Sequence, residues 1–321
     1  MFHKLFSLGF CLLIFIFFQS LWAQEIKTNK DDGPYQFRII KEIAVGPVKD
    51  QSRSGTCWSF STMSFIESEL IRKGKEFVDL SEMFIVWHTY LEKSKKYVRM
   101  HGQLNYGPGG AFHDVVNTIR DFGIVPFEIY SGDNIGEEKI NHGEMDAVLH
   151  EFVKGVVRNK NGKLTKQWEV ALKAVLDAYL GPIPETFEHN GKQYSPKSYA
   201  KHLEINPEDY ITLTSYTHHP FYEKFILEVP DNWAWDHVYN VPIKDLEKTI
   251  DYALTNGFTI AWASDVSEKG FSFKNGVAVV PEKNWADMDK EERDTLFNNI
   301  VVEKPITQEL RQEAYDNYQT T

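Results

Sequence analysis

The sequence predicts an α+β fold in which a helical first half is followed by a half built from strands. Apolar residues recur at helical spacing directly after Cys57, and residues 145–180 have a largely helical pattern. Residues 242–256 follow as an amphipathic helix, and residues 258–266 and 277–280 have the composition of strands. This order, helices first and strands last, is the basis of the predicted fold class.

The first 23 residues have the layout of a secretory signal peptide. Lys4 precedes an apolar run at residues 5–18, and Ala23 is a small residue suited to cleavage. The run is short for a membrane span, although an uncleaved anchor is the alternative. We therefore expect an exported protein, periplasmic or secreted, with no stable membrane anchor after cleavage.

The charge balance limits the possible partners. The chain has a formal net charge of −11, and Lys4 is the only charged residue that cleavage would remove. An acidic chain repels nucleic acid and anionic membrane surfaces. We therefore expect no nucleic-acid partner.

The cysteine count draws attention to one residue. The sequence contains Cys11, inside the predicted leader, and Cys57. A lone cysteine in an exported chain indicates a reactive thiol, whereas a buried cysteine can also be inert. Its neighbours separate these two interpretations.

Cys57 stands where a turn-rich loop changes to a helical pattern that ends before Gly74. Unpaired N–H groups at a helix N-terminus stabilise an anion such as a thiolate. Gln51, six residues upstream across the loop, has a side-chain amide that can fold back towards Cys57. Together with the Cys57 N–H, this amide would form an oxyanion hole.

Two stretches resemble the active-site signature of the papain family of cysteine peptidases: V-K-D-Q at 48–51 and G-T-C-W-S-F-S at 55–61. The resemblance implies that Cys57 is the nucleophile and that Gln51 stabilises the oxyanion. Ser54 departs from the usual pattern, because papain-like secreted enzymes have a disulfide-forming cysteine there. This loss points to the bleomycin hydrolase, or aminopeptidase C, branch, whose members lack the disulfides.

Two further motifs follow in the family's order. Leu80-Ser81-Glu82 is typical of a helix start with Ser81 as N-cap, and residues 107–110, G-P-G-G, precede a predicted helix at 111–122. In papain relatives such a Gly-Gly pair lines the cleft and hydrogen-bonds the substrate backbone. The resemblance therefore assigns substrate binding to Gly109 and Gly110.

The resemblance also divides the chain. Residues 24–131 resemble the N-terminal half of a papain fold, with the nucleophile helix. Residues 132–235 resemble the large, mainly helical insertion of the bleomycin hydrolase type. Residues 236–321 resemble the start of the β-barrel half, which is expected to be incomplete. Hexamer formation is a further expectation from this branch, whereas the cytoplasmic location common among its members disagrees with the leader.

The base that should accompany Cys57 is not apparent. His189 has a plausible spacing but stands in a polar turn, and no Asn-Ser-Trp triplet occurs. Residues 307–321 resemble the segment before the catalytic histidine of the branch, so we expect the base and its asparagine to lie beyond Thr321. His218 and His219 have no nearby sequence partner, so we predict no metal and no cofactor.

Three functional hypotheses remain from the sequence. The first is a cysteine aminopeptidase that hydrolyses peptides through a Cys57 acyl-enzyme, of which this chain is a truncated form. The second is a catalytically inactive relative that acts as a binding or assembly subunit. The third is a papain-like endopeptidase whose base is unusual, for instance His189.

Overall fold

The computed structural model describes residues 26–136 and 139–317. The predicted leader at 1–23 and the final residues from 318 on lie outside this part of the chain. The helices that the structure describes are α1 Cys57–Arg72, α2 Glu82–Arg99, α3 Phe112–Phe122, α4 Gly143–Val157, α5 Gln167–Leu180, α6 Pro196–His202, α7 Ile243–Thr255, α8 Lys290–Thr295 and α9 Gln308–Asp316.

The strands are short and form small, separate sheets. They are β1 Ile26–Thr28, β2 Gln36–Arg38, β3 Phe187–His189, β4 Lys192–Tyr194, β5 Leu213–Thr214, β6 Lys224–Ile226, β7 His237–Asn240, β8 Phe271–Ser272 and β9 Val277–Ala278. Antiparallel pairs join β1 to β2, β3 to β4 and β8 to β9. In the remaining sheet, central β7 pairs parallel with β5 and antiparallel with β6.

The main core lies between α1, α2 and α3 and extends to α4, α5 and α6. Apolar residues of α1 recur every three or four positions, so Met63, Ile66 and Leu70 share one fully buried face. The first turns of α2 are buried all round, because other elements cover more than one side of this helix. Ser81 caps α2 as predicted, and its hydroxyl accepts the N–H of Phe84 at 3.0 Å.

A buried charge network fastens the loop before Cys57 to this core. The Lys49 ammonium lies 2.9 Å from the Glu67 carboxylate and 2.6 Å from that of Glu82. Burial raises the pKa of Glu82 to about 7, against the attraction of Lys49. Burial also opposes the charge of Lys49, but the attraction of Glu82 and hydrogen bonds to carboxylates outweigh it and raise the Lys49 pKa.

The C-terminal region is packed less completely. Val279, Met288 and Leu296 form a small buried cluster, against which Tyr35 packs from the N-terminal segment. The Tyr35 hydroxyl donates to the Asn299 carbonyl at 3.0 Å. The N-terminal and C-terminal segments of the described chain therefore lie side by side.

Most predicted elements are confirmed, and one is wrong. The largely helical stretch expected at 145–180 forms α4 and α5, with the interruption that Asn159-Lys160-Asn161-Gly162 predicts between them, and α7 matches the helix expected at 242–256. The strand expected at 258–266 does not form, and Trp262 within it is 74% exposed. A strand needs a neighbour for its backbone hydrogen bonds, and no described segment pairs with this one.

The expected strand at 277–280 is reduced to β9, which pairs with β8 across a turn at Asn275-Gly276. The described residues contain no closed barrel, in line with the expectation of an incomplete barrel half. The domain boundaries at 131 and 235 remain predictions. Of the described helices, none has the length and apolar character needed to cross a membrane.

Candidate active site

Cys57 is the first residue of α1 and carries an exposed, unpaired thiol. The Thr56 side chain makes no hydrogen bond to the start of the helix. The N–H groups of the first turn are therefore not consumed by a capping side chain, and they can stabilise an anion at this position. This placement confirms that the helix starts at Cys57.

The loop before Cys57 is held by hydrogen bonds where the family pattern has a disulfide. Ser54 and Thr56 are fully buried, and their hydroxyl oxygens lie 2.6 Å apart. The Arg53 N–H donates to the Ile140 carbonyl at 3.0 Å, and the His142 N–H donates to the Arg53 carbonyl at 3.2 Å. The segment at 140–142 therefore supports the loop from the side of the predicted insertion.

The structure brings the glycine segment at 107–110 next to this loop. The Trp58 indole donates to the Pro108 carbonyl at 2.9 Å. Gly55 has φ of +69°, and a Cβ at this position would lie 2.8 Å from the Pro108 side chain. Glycine is required at position 55 because the backbone has a positive φ and because a side chain would collide with Pro108. Two motifs that are about fifty residues apart in sequence thus meet at the start of α1.

Gly110 packs against Trp58, the residue that follows Cys57. A Cβ at Gly110 would lie 2.8 Å from the Trp58 ring and 2.9 Å from the Asp114 carboxylate. A Cβ at Gly109 would lie 2.4 Å from the Asp231 carboxylate. Because neither glycine has a side chain, the backbone at 109–110 can lie this close to the Trp58 ring and to the two carboxylates.

Two residues that the sequence did not reveal hold this glycine segment. Lys93 of α2 is buried and donates to the carbonyls of Gly107, at 2.8 Å, and Gly109. Asp114 of α3 accepts the Ala111 N–H at 2.8 Å and the Trp233 indole N–H at 2.9 Å. Burial lowers the pKa of Lys93 to about 8 and raises that of Asp114.

Asp114 is the third residue of α3, a position where a carboxylate commonly bonds back to the helix start, so its role was accessible from sequence. Lys93 gave no such signal, because it stands among the other lysines of an apparently solvated helix face. Its burial depends on the fold of the glycine segment across from it.

Gln51 lies in the loop before α1 and is half-buried. Its backbone carbonyl accepts the Ser54 N–H at 3.2 Å. Its side-chain oxygen is buried and has no hydrogen-bond partner within the described residues. The side-chain oxygen of Gln51 therefore makes no hydrogen bond to the rest of the described fold. The role of the Gln51 amide in stabilising an oxyanion remains a prediction.

His189 is engaged elsewhere. It ends β3, its Nδ1 lies 2.9 Å from the Glu128 carboxylate, and its ring meets Tyr199 edge-on. Across residues 26–136 and 139–317, no histidine is hydrogen-bonded to the Cys57 thiol. The described residues therefore bring the Cys57 thiol and the glycine segment together without a histidine beside the thiol.

Two groups of side chains have metal-ligand composition. Glu67, Asp79 and Glu82 converge, but the Lys49 ammonium occupies the point between them. His218 and His219 converge with Glu228, nine or ten residues away in sequence. The sequence pattern indicated no partner for these histidines, whereas the fold brings the Glu228 carboxylate to both of them. That no metal binds here stays a prediction.

Comparison with known proteins places this geometry in context. Residues 34–121, which include the loop, α1 and the glycine segment, match the family described as "Papain family cysteine protease". Aminopeptidase G of Lactobacillus delbrueckii subsp. lactis is 22% identical over 265 residues, which cover 70% of this chain and 60% of that protein. Bleomycin hydrolase of Gallus gallus is 23% identical over 327 residues, covering 83% and 71%.

The solved structure of PepW from Lactobacillus rhamnosis HN001 has the same fold, with a TM-score of 0.59 at 16% identity. The alignment covers 87% of this chain and 69% of that one. This chain thus spans 60% of the length of Aminopeptidase G and somewhat more of the other two. Residues 34–121 therefore match the papain family of cysteine proteases, and the chain is similar over most of its length to Aminopeptidase G, bleomycin hydrolase and PepW.

Proposed function

We propose that this protein is a cysteine peptidase, an aminopeptidase of the bleomycin hydrolase type, with Cys57 as its nucleophile. The observation that carries the proposal is the exposed Cys57 thiol at the first residue of α1, beside the glycine segment at 107–110. Aminopeptidase G and bleomycin hydrolase, which align with most of this chain, support the exopeptidase class.

The proposed reaction is acyl transfer. The Cys57 thiolate attacks the peptide carbonyl, and the resulting oxyanion is held by the Cys57 N–H and the Gln51 side-chain amide. The tetrahedral species collapses to a thioester as the amine leaves with a proton from a general acid. Water then releases the acyl group and regenerates the thiol. The backbone of Gly109 and Gly110 binds the substrate main chain along the same cleft.

The general acid and base is the part that the described residues do not supply. His189 is paired with Glu128, so the endopeptidase hypothesis based on it has no structural support. The non-catalytic hypothesis retains one supporting observation, namely that no described histidine bonds to Cys57. We propose that a histidine outside the described residues serves in the active enzyme.

The first experiment measures hydrolysis of an aminoacyl-coumarin amide and of its N-acetylated form by the purified protein. We expect turnover of the free-amine substrate, and a fall of at least about 1000-fold in kcat/KM for Cys57→Ala. Lys73→Ala, at the far end of α1, is the matched control and should retain full activity. Persisting activity in Cys57→Ala would reject the nucleophile assignment.

The same protein distinguishes the alternatives. Turnover of the blocked substrate that His189→Ala abolishes would establish the endopeptidase hypothesis. Stoichiometric alkylation of Cys57 by iodoacetamide, without turnover of either substrate, would instead establish a non-catalytic relative.

Export and assembly are further proposals that extend the expectations from sequence. The apolar run at residues 5–18 supports export, and an N-terminus beginning at Gln24 in the mature protein would confirm it. We propose a hexamer on the basis of the resemblance to the bleomycin hydrolase branch. A monomer mass in light scattering would rule it out.

A further inference from the structure

His218, His219 and Glu228 form a cluster far from Cys57 in sequence and separate from the residues assigned to catalysis. The histidines follow β5, and Glu228 follows β6. His218 Nε2 lies 3.1 Å from one carboxylate oxygen of Glu228, and His219 Nε2 lies 2.8 Å from the other. All three ligand atoms fall within 4.8 Å of one another.

We propose that this cluster binds a divalent transition-metal ion, for which Zn²⁺ is the best match. Two imidazole nitrogens and one carboxylate are a ligand set that zinc takes up readily, and they leave one position of a tetrahedron for water. Calcium and magnesium are disfavoured because they prefer oxygen ligands throughout. The cluster is part-exposed, with 29% of the His218 side chain and 55% of that of Glu228 accessible, so an ion can enter from solvent.

Aromatic neighbours hold both imidazole rings in place. The His218 ring stacks on Tyr315 with an interplanar angle of 8°, and the His219 ring stacks on Phe225 at 4.2 Å between centroids. The Tyr315 hydroxyl also donates to the Glu228 carbonyl at 2.7 Å. The side chains that would bind the ion are thus oriented by packing, independently of the ion itself.

Gln312 of α9 completes the arrangement. Its amide oxygen accepts the Thr217 N–H at 2.7 Å and lies 3.3 Å from His218 Nδ1. The Gln312 amide nitrogen lies 3.1 Å from the same Nδ1, so this side chain can also donate to the ring while Nε2 donates to Glu228. A metal at Nε2 would require the ring proton on Nδ1, and the Gln312 oxygen is placed to accept it. Metal-bound histidines commonly have such a partner on the other ring nitrogen.

The spacing needs only a small change on binding. Tetrahedral zinc with bonds of about 2.1 Å separates its ligand atoms by about 3.4 Å, and the three ligand atoms of this cluster already lie within 4.8 Å of one another. The contrast with Glu67, Asp79 and Glu82 is informative. There an ammonium ion already neutralises the carboxylates, whereas in the described part of the chain Glu228 pairs with the two histidines and with no lysine or arginine.

The test is zinc titration by calorimetry at pH 7.5, with metal content measured after dialysis, in a Cys57→Ser background that removes the thiol as a competing ligand. We expect about one zinc per chain. Glu228→Gln keeps the size of its side chain and His219→Asn keeps a polar one, and both should weaken binding more than tenfold, whereas Gln312→Ala should weaken it by about tenfold. Zinc should also raise the melting temperature of the parent but not of Glu228→Gln.

Two matched controls test specificity. Glu223→Gln removes an exposed carboxylate next to β6, and His202→Gln removes an exposed imidazole on α6. Both should bind zinc as the parent does. A parent that binds no zinc, or a Glu228→Gln variant that is folded by circular dichroism and binds it unchanged, would overturn the proposal. Because the titration uses a protein without Cys57, its result does not depend on the peptidase activity.

Discussion

Helices α1 and α7 have similar lengths and both have amphipathic sequences, but their apolar side chains have different surroundings. In α1, Met63, Ile66 and Leu70 are at most 1% exposed. No residue of α7 is buried, and Leu254 is 37% exposed. The difference shows that helical periodicity specifies which face is apolar, whereas burial of that face depends on what packs against it.

A related contrast holds for what each helix leads into. The loop after α1 is itself largely exposed, with Phe77 42% exposed, but it leads into the buried first turns of α2. After α7, Phe258 is 37% exposed, and the Arg72 guanidinium lies over its ring at 4.0 Å from the ring centroid. Trp262 is 74% exposed. Substitutions in the buried helical body should therefore have larger effects than substitutions at the more exposed positions.

The largest effect is expected at Lys49. Lys49→Met leaves Glu67 and Glu82 buried without their cation, and removal of one partner from a buried ion pair costs about 3–5 kcal/mol. Lys248→Met, which breaks the exposed pair with Asp245, should leave the free energy of unfolding almost unchanged. Urea denaturation measures both. Equal effects would show that the network near Cys57 is no more buried in solution than the surface of α7.

The second comparison uses one leucine from each helix. Leu70→Ala should destabilise by about 2–5 kcal/mol, because it opens a cavity in the core. Leu254→Ala on α7 should have a much smaller effect, because its side chain is already partly in water. Chemical denaturation measures the free energy of unfolding of both variants, and equal m-values would allow the two to be compared directly. A large effect at Leu254 would mean that its face of α7 is covered in solution.

The third prediction concerns acid stability. His88 is buried against Phe122, and burial lowers its pKa to about 3. The unfolded chain takes up this proton below about pH 6.5 while the folded chain does not, so stability is lost as pH falls below that value. At pH 5 the cost is about 2 kcal/mol. His88→Phe should reduce the loss of stability between pH 7 and pH 5.

Exposed His202 provides the control, because it lies on the surface of α6. His202→Gln should leave the difference in unfolding free energy between pH 7 and pH 5 as it is in the parent. If the two variants respond to acid in the same way, His88 is not the buried neutral group described.

The smallest effect is expected from two glycines. Gly110→Ala places a methyl group 2.8 Å from Trp58, and such overpacking costs about 1–3 kcal/mol. Gly155→Ala lies on an exposed position of α4 with nothing within 4 Å, so it should stabilise by about 0.5–1 kcal/mol. Melting temperatures should therefore move in opposite directions. A stabilising Gly110→Ala would contradict the close approach of this segment to Trp58.

The sequence predicted most of what depends on local pattern. The start of α1 at Cys57, the cap at Ser81 and the break between α4 and α5 follow from spacing, capping and turn residues. The strand predicted at 258–266 does not form. Composition indicates only the local preference of a segment for extended backbone, whereas a strand forms only when a second strand pairs with it. Lys93 and Glu228 were missed for a related reason, since their roles depend on residues brought near by the fold.

The hydroxyl pair of Ser54 and Thr56 has a consequence for oxidation. Because a hydrogen bond and not a disulfide holds this loop, reducing agents have no covalent bond to cleave there. Among the described residues Cys57 is the one cysteine, so the structure places no second thiol beside it. A sulfenic acid formed at Cys57 by peroxide therefore finds no resolving thiol among these residues, and small external thiols such as glutathione would reduce it before it reaches the irreversible sulfinic acid.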